Sequence, residues 1–187
     1  GKGVPQDHQE AAKWYRLAAE HGDVDAQHIM GLMYVEGQGV QQDYKEAGKW
    51  IRLAADQEDA EAQYNLGFMY DEGHGVQQDY KEAEKWYRLS AEQGDNDAQF
   101  NLGIMYDQGQ GVPKDYNEAA KWYRLAAEQG NVMAQTILGW MYSKGQGVPQ
   151  DDKEAIKWWR LAVEQGDAEA QCNLGVMYYE GIGVQQD

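Results

Sequence analysis

The residues that could carry out acid–base or nucleophilic chemistry are unevenly supplied in this chain of 187 residues. It has 32 acidic residues, but its hydroxyl and thiol nucleophiles are limited to Ser90, Ser143, Thr136 and Cys172, at unrelated positions. No Ser-x-x-Lys or Gly-x-Ser-x-Gly motif is present for acyl transfer, and the four histidines lack the spacing of a zinc site. We therefore predict no enzyme activity, no metal site and no cofactor.

A glycine-rich loop is the other feature that could bind a ligand. Gly37-Gln38-Gly39-Val40 precedes a predicted helix, and glycines at a helix N-terminus can cradle a phosphate. However, the motif G-x-G-V-x-x-D recurs at a spacing of 36 residues, at Gly1, Gly37, Gly73, Gly109, Gly145 and Gly181. No copy continues as a P-loop or a dinucleotide-binding fingerprint. We interpret these glycines as turn residues.

The 36-residue repeat extends along the whole chain and must position all of these side chains. Aromatic residues keep its register, at Trp14, Trp50, Trp86, Trp122 and Trp158 and at Tyr34, Tyr70, Tyr106, Tyr142 and Tyr178. A fixed period of this length is typical of stacked repeat proteins.

Each copy predicts two helices, which we call the A helix and the B helix. An A helix begins after an N-cap such as Asp59 and ends at a glycine such as Gly73, which suits a left-handed C-cap. A B helix begins after Asp43, whose spacing to Glu46 matches a capping box. The B helices end at Gly22, Gly94, Gly130 and Gly166. Glu58 replaces that glycine in one copy, so we expect backbone strain there.

A glycine in the middle of every A helix requires a packing reason, since glycine costs about 1 kcal/mol relative to alanine inside a helix. These glycines are Gly31, Gly67, Gly103, Gly139 and Gly175. We expect a neighbouring helix to approach closely and to fit a Trp or Tyr side chain against each of them. On the B helix, Ala47, Trp50 and Ala54 form an apolar face.

The combined pattern A-x-x-W-Y-R-x-A-A-x-Q-G-x-x-x-A-Q-x-x-L-G-x-M-Y-x-x-G-x-G-V-x-x-D resembles the Sel-one-like repeat, a relative of the tetratricopeptide repeat. The resemblance implies an all-α fold, a right-handed α-solenoid of antiparallel helix pairs with about ten helices. We expect a single array over residues 1–187, with five copies at 7–42, 43–78, 79–114, 115–150 and 151–186. Because the chain does not begin with methionine, we expect a piece of a longer array.

Members of that family are generally interaction scaffolds, and the resemblance is compatible with a periplasmic or secreted bacterial protein. A cysteine-rich branch of the family links its two helices by a disulfide in each repeat. The single Cys172 does not match that pattern, so the resemblance does not extend to that branch.

Comparison of the copies separates two sides of the A helix. Positions 26, 27, 30, 31, 33 and 34 hardly change, whereas positions 25, 28, 29, 32, 35 and 36 vary. At about 100° per residue, these two sets lie on opposite sides of a helix. The constant side must pack against copied neighbours. By resemblance to tetratricopeptide arrays, the other side, which we call the varied face, is predicted to line a concave groove.

We predict that the varied face binds a partner. The candidate binding residues are Asp25, Leu32, Glu61, Tyr64, Asn65, Phe68, Asp71, Asp97, Phe100, Asn101, Ile104, Asp107, Trp140, Asn173, Val176 and Tyr179. Acidic residues with aromatic anchors favour a basic, partly apolar protein or peptide. In the alternative interpretation, some of the aromatic residues pack between helices and the carboxylates keep the protein in solution.

Charge excludes other classes of partner. The formal net charge of −16 argues against nucleic acid and anionic membranes, and no apolar run is long enough to cross a bilayer. The B helices carry a repeated Lys and Arg, which could bind an acidic partner. Because Lys49 follows Glu46 by three residues and Arg52 precedes Asp56 by four, we expect intrahelical ion pairs instead.

Two further functions stay open from the sequence. One is a cell-wall or carbohydrate-processing enzyme that uses carboxylates of the groove. The other is a structural module whose two open ends, on the sides of Trp14 and Met177, stack end to end.

Overall fold

The structure, a computed structural model, describes residues 6–182, and over this range it contains ten α-helices and no β-strand. In chain order these are α1 (His8–Glu20), α2 (Val24–Glu36), α3 (Tyr44–Ala55), α4 (Ala60–Glu72), α5 (Tyr80–Glu92), α6 (Asn96–Gln108), α7 (Tyr116–Glu128), α8 (Val132–Lys144), α9 (Asp152–Glu164) and α10 (Ala168–Glu180). The even-numbered helices are the predicted A helices and the odd-numbered helices are the B helices. The all-α prediction is confirmed.

The helices form two compact units, residues 1–95 and residues 96–187. In the first unit, α2 packs against α1 and α3, and α4 packs against α3 and α5. In the second unit, α7 packs against α6 and α8, and α9 packs against α8 and α10. Each unit is therefore an α-solenoid, in which every helix packs against its neighbours in the chain.

The glycine loop closes a copy by covering the start of its own B helix, as at Gly39, Gly75 and Gly147. Gly39 has a φ of +71°, and a Cβ atom there would lie 2.0 Å from the His8 carbonyl oxygen. The backbone N–H groups of Lys45 and Glu46, which could have bound an anion, donate to the Asp43 carboxylate. The loop thus serves as a turn, and its helix N-terminus is already capped.

The predicted capping box forms only in part. Asp43 accepts hydrogen bonds as an N-cap, but its own N–H donates to the Tyr34 carbonyl oxygen rather than to Glu46. The Glu46 carboxylate pairs with Lys49. The reciprocal half of the box is therefore replaced by a bond to the preceding A helix, which fixes the path of the loop.

Each of the A helices α2, α4, α6 and α8 has a glycine that a side chain of the following B helix approaches so closely that a Cβ atom would not fit. A Cβ atom on Gly67 would lie 2.7 Å from Cδ1 of Tyr87, whose side chain is fully buried. We call this contact the glycine slot. It recurs between Gly31 and Ile51, between Gly103 and Tyr123, and between Gly139 and Trp159. The predicted close approach is confirmed, with an aromatic ring in three slots and isoleucine in the fourth.

Pairs of glutamines, each with a buried acceptor and an exposed donor, link successive copies. Gln27 donates to the Ala19 carbonyl oxygen at 3.1 Å and accepts from Gln57 at 2.8 Å. The same hydrogen bond is donated by Gln93 to Gln63, by Gln129 to Gln99 and by Gln165 to Gln135. Because burying a polar group is costly unless it is hydrogen-bonded, these pairs favour a single register between copies.

The basic residues of the B helices divide into two groups. Lys13, Lys49, Lys85, Lys121 and Lys157 each pair with the glutamate three residues earlier, as predicted. The predicted partners of the arginines are wrong. Arg52 donates to the Tyr70 hydroxyl and lies over its ring, while Arg88 pairs with Glu84. The Arg–Tyr contact recurs at Arg16, Arg124 and Arg160, where the tyrosine belongs to the adjacent A helix.

Glu58 has a φ of +68° and is the one described non-glycine residue with positive φ. A Cβ atom at the matching Gly94 would contact nothing within 4 Å, so backbone conformation is the main cost at this turn. The left-handed conformation costs about 1–2 kcal/mol for a residue with a Cβ atom, partly offset by the flexibility of glycine in the unfolded chain. We expect Glu58→Gly to raise the free energy of unfolding by about 1 kcal/mol in urea denaturation. Gly94→Glu should lower it similarly, and a neutral result for both would contradict the strain.

The glycine slots give a matched pair of substitutions. Alanine at Gly67 would press against Tyr87, and overpacking of this kind costs about 1–3 kcal/mol, which exceeds the gain in helix propensity. At Gly175, a Cβ atom would meet nothing within 4 Å, so only the gain of up to about 1 kcal/mol applies. We expect Gly67→Ala to destabilise the protein and Gly175→Ala to stabilise it, as measured by chemical denaturation. Stabilisation by both would show that the slot at Gly67 is loose.

Candidate functional site

Burial separates the two sides of the A helices. On α4 the buried residues are Ala62, Gln63, Leu66, Gly67 and Met69, all on the constant side. On the varied face of the same helix, Glu61 and Phe68 are exposed. The constant side therefore packs, as predicted, and the varied face keeps side chains in contact with solvent.

The predicted binding residues differ in exposure. The exposed ones are Asp25, Glu61, Phe68, Asp97, Trp140, Val176 and Tyr179. The half-buried ones are Leu32, Tyr64, Asn65, Asp71, Asn101, Ile104, Asp107 and Asn173. Phe100 is buried, with its ring 5.8 Å from the ring of Tyr123. Its side chain therefore belongs to the core of the second unit, as in the alternative interpretation that aromatic residues pack between helices.

Position 28 and its equivalents join adjacent helices. Tyr64 lies 5.8 Å, between ring centroids, from Tyr87. In the next unit the Thr136 hydroxyl donates to the Asp167 carboxylate at 3.0 Å. Because position 28 is turned toward its neighbours in these copies, it contributes less to a binding surface than positions 25, 32 and 36.

A buried histidine occupies this position in the first unit. The His28 Nδ1 atom lies 3.4 Å from an oxygen of Asp59, and its Nε2 atom lies 2.9 Å from Nδ2 of Asn65. If the Asn65 amide nitrogen donates this hydrogen bond, Nε2 of His28 is the acceptor. In a neutral imidazole ring the proton is then on Nδ1. Asn65 therefore has a partner within the fold, in addition to any that it offers to a ligand.

Phe68 lies at the edge of an exposed group of rings. Its ring meets that of His74 edge-on, with centroids 5.9 Å apart, and His74 stacks on Tyr44 at 5.5 Å. Since both Phe68 and Tyr44 are exposed, this group forms an aromatic rim beside the acidic end of α4.

Asp71 is the electrostatically unusual residue of the varied face. Burial raises the pKa of its carboxyl above the usual value, the Tyr87 hydroxyl at 3.3 Å acts in the opposite direction, and Glu72 raises the pKa further. Burial, together with the Asp71 charge, also raises the pKa of the Tyr87 phenol far above its usual value. Asp71 is thus a half-buried carboxylate at the C-terminal end of α4, where the helix dipole also disfavours negative charge.

Sequence reasoning missed Met133 on α8. It is 58% exposed and stands at the position that holds Asp25, Glu61, Asp97 and Glu169 in the other copies. A search for charged and aromatic residues passed over it. The signal that could have found it is the loss of an acid in a single copy.

Other sites have little support in the described part of the chain. No group of three or more His, Cys, Asp or Glu residues between 6 and 182 could hold a metal ion. Over the same range, none of the helices combines the length and apolar character needed to span a membrane.

An open depression of about 630 Å³ lies at the C-terminal end of α1. It is lined in part by Trp14, Leu17 and His21. Trp14 is 66% exposed, so this surface could take part in the predicted end-to-end stacking, which stays a prediction.

Comparison with protein families identifies the repeat. The family model described as the Sel1 repeat matches residues 1–23, 24–59, 60–95, 96–131, 132–167 and 168–187. A search of curated proteins gives no significant match.

Solved structures with the same repeat are similar over most of the chain. One is a protective antigen present in uropathogenic Escherichia coli strains and displaying an SLR fold, with 46% identity and a TM-score of 0.95 over 100% of this chain and 40% of that chain. Another is a Sel1 repeat protein from Oxalobacter formigenes, with 37% identity and a TM-score of 0.84 over 93% of this chain and 50% of that one. The chain thus spans half or less of the length of these two proteins. The cysteine rich protein B of Helicobacter pylori, at 24% identity and a TM-score of 0.53 over 68% of this chain and 96% of its own, shares the fold.

The raised pKa of Asp71 predicts a dependence of stability on pH. Because folded Asp71 holds its proton more tightly than the unfolded chain, stability falls as the pH rises from the usual value of 3.8 through the raised pKa. We expect Asp71→Asn to raise the free energy of unfolding at pH 7, where the wild type bears the full cost of a desolvated charge. The difference should shrink below pH 3.8.

Glu36→Gln is the matched control for this comparison. Glu36 is exposed and is the last residue of α2, so it experiences a similar helix dipole without the burial of Asp71 and without acting on the Asp71 carboxyl. If the two variants give the same pH profile in urea denaturation, the dipole rather than burial sets the cost at Asp71.

Proposed function

The chain belongs to the Sel1 repeat family, whose members are commonly protein-interaction scaffolds and generally non-catalytic, and we propose that its varied faces bind a basic, partly apolar protein or peptide. In the first unit the binding surface is the varied face of α2 and α4. In the second unit it is the varied face of α6, α8 and α10.

The environment of Asp71 is the observation that carries this proposal. A half-buried carboxylate without a cation costs stability, and within the described residues its hydrogen-bond donor is the neutral Tyr87 hydroxyl. A Lys or Arg side chain of a partner would supply the missing charge and lower the pKa of the carboxyl. Residues that destabilise a fold in this way are often retained for function.

The distribution of the remaining charges supports the same type of partner. On the B helices, each repeated Lys is paired with a glutamate of its own helix. On the A helices, acids such as Asp25 and Glu61 are exposed on the varied face, and α2, α4, α6 and α10 carry no Lys or Arg. Among the helices, the excess negative charge therefore lies on α2, α4, α6 and α10, where it would steer a basic ligand.

The carbohydrate-processing alternative has no specific observation in its favour. Glycoside hydrolysis requires two carboxyl groups placed on either side of the scissile bond. The pKa of Asp71 is raised chiefly by burial, and the acid that contributes is Glu72, its neighbour in the chain. A binding role accounts for Asp71 without a second catalytic group.

A peptide array graded from acidic to basic net charge tests the proposal. We expect the bound peptides to be basic and their affinity to fall as salt rises. Phe68→Ala should weaken the selected peptides by about 2 kcal/mol if this ring is a hot spot. Glu61→Gln should act mainly by slowing association.

Lys85→Gln on α5 is the control, since Lys85 lies on a B helix and pairs with Glu82. Its affinity for the same peptides should equal that of the wild type. Selection of acidic peptides, or loss of binding in Lys85→Gln alone, would place the binding surface on the B helices and overturn the proposal.

A further inference from the structure

One A helix differs from the other four in the charge of its varied face. α2, α6 and α10 each carry two acidic residues and α4 carries three. α8 carries none, and it ends in Lys144, the one Lys or Arg on the five A helices. A basic peptide segment is therefore less favoured over α8 than over the other A helices.

The varied face of α8 is apolar instead. Met133, Ile137 and Trp140 follow one another at a spacing of four and then three residues, which aligns them along one side of the helix. Met133 is 58% exposed and Trp140 is 43% exposed, while Ile137 between them is half-buried against the core. We call these three residues the α8 patch.

Folding does not require an apolar residue at position 133. The two other A helices of this unit carry exposed acids at the equivalent position, Asp97 on α6 and Glu169 on α10. Met133 and Trp140 are both exposed, and neither is a buried member of the core cluster of the unit. Exposed methionine and tryptophan side chains on one side of a helix are unfavourable in contact with water. They are favourable in contact with an apolar side chain of a partner.

The surroundings of the patch are held in place and are acidic. The hydroxyl of Thr136 on α8 donates to Asp167, the N-cap of α10, and the Trp159 indole donates to the Thr136 carbonyl oxygen at 3.1 Å. These bonds fix α8 against its neighbours. Asp97 on α6 and Glu169 on α10 hold the position equivalent to Met133, so the A helix of each adjacent copy carries an acid where α8 carries an apolar residue.

We propose that the α8 patch is an anchor subsite, which takes one large apolar side chain from a peptide whose flanking residues are basic. This inference rests on the proposed function and specifies its partner. The flanking Lys or Arg residues pair with the acids of α6 and α10. The apolar residue covers Trp140 and is accommodated by the flexible side chain of Met133.

Two synthetic peptides of Lys and Gln, identical except for Leu or Ala at one central position, test the subsite by calorimetry or fluorescence anisotropy. We expect the wild type to bind the Leu peptide at least about tenfold more tightly than the Ala peptide, as for a hot-spot contact. The double variant Met133→Glu, Trp140→Val should lose this preference and still bind the Ala peptide.

The substituted residues in this variant are those that other copies carry at the same positions, Glu169 and Val176, so the helix should be retained. Circular dichroism verifies folding, and the single variant Met133→Gln, with a smaller expected loss of preference, provides a second test. Leu125→Ala is the matched control, because Leu125 is an exposed apolar residue on the B helix α7 of the same unit and lies outside the varied faces. It should leave the ratio of the two affinities unchanged.

The outcomes separate the subsite from the proposed function. Equal binding of both peptides by the wild type overturns the anchor subsite and leaves the basic-peptide proposal intact. Failure of both peptides to bind overturns the two proposals together. A preference that survives in the double variant places the apolar contact elsewhere. Dimerisation of the wild type in sedimentation, abolished in the double variant, would make the patch a contact between copies and also overturn the subsite.

Discussion

The absence of a Cβ atom in the middle of each A helix is the constraint on which the packing of this protein depends. It allows a large side chain of the following B helix to lie directly against the A-helix backbone, as Tyr87 does at Gly67. Dense packing of this kind leaves little tolerance for a change of volume. Because the same contact recurs at Gly31, Gly103 and Gly139, it fixes the distance between the A helix of one copy and the B helix of the next.

This arrangement also determines which surface is available for binding. The constant side of each A helix is used by the slot and by the core, so only the opposite side can change without loss of packing. The side chains there do change, from acidic on α4 to apolar on α8. One of them, Asp71, is stabilised by the hydroxyl of the same Tyr87 whose ring fills a glycine slot. The packing contact and the binding face thus share a residue.

The sequence predicted the helices, their ends and the slots because these features depend on short-range spacing that is repeated in every copy. The strained turn at Glu58 was predicted for the same reason, by comparison with Gly22 and Gly94. The partners of the arginines could not be predicted in this way, since Arg52 and Tyr70 are brought together by the packing of two helices.

The candidate site was predictable only in outline. Helical periodicity separates a buried side from an exposed side, but it does not show how far a residue at the margin is turned inward. Phe100 and Trp140 are both aromatic residues of the varied face, and only the structure distinguishes the buried ring from the exposed one. Whether these faces bind a basic partner stays a proposal.

The glutamine pairs have a consequence for how such a protein can change its length. Each described contact between adjacent copies contains a hydrogen bond between the same two repeat positions, as from Gln57 to Gln27 and from Gln165 to Gln135. If a whole 36-residue copy is inserted or removed, the copies that become adjacent can therefore form the same glutamine–glutamine hydrogen bond, and no new contact is required. Recombination between copies within a gene could lengthen or shorten the array in whole units, and each added unit would bring its own varied face, open to divergence.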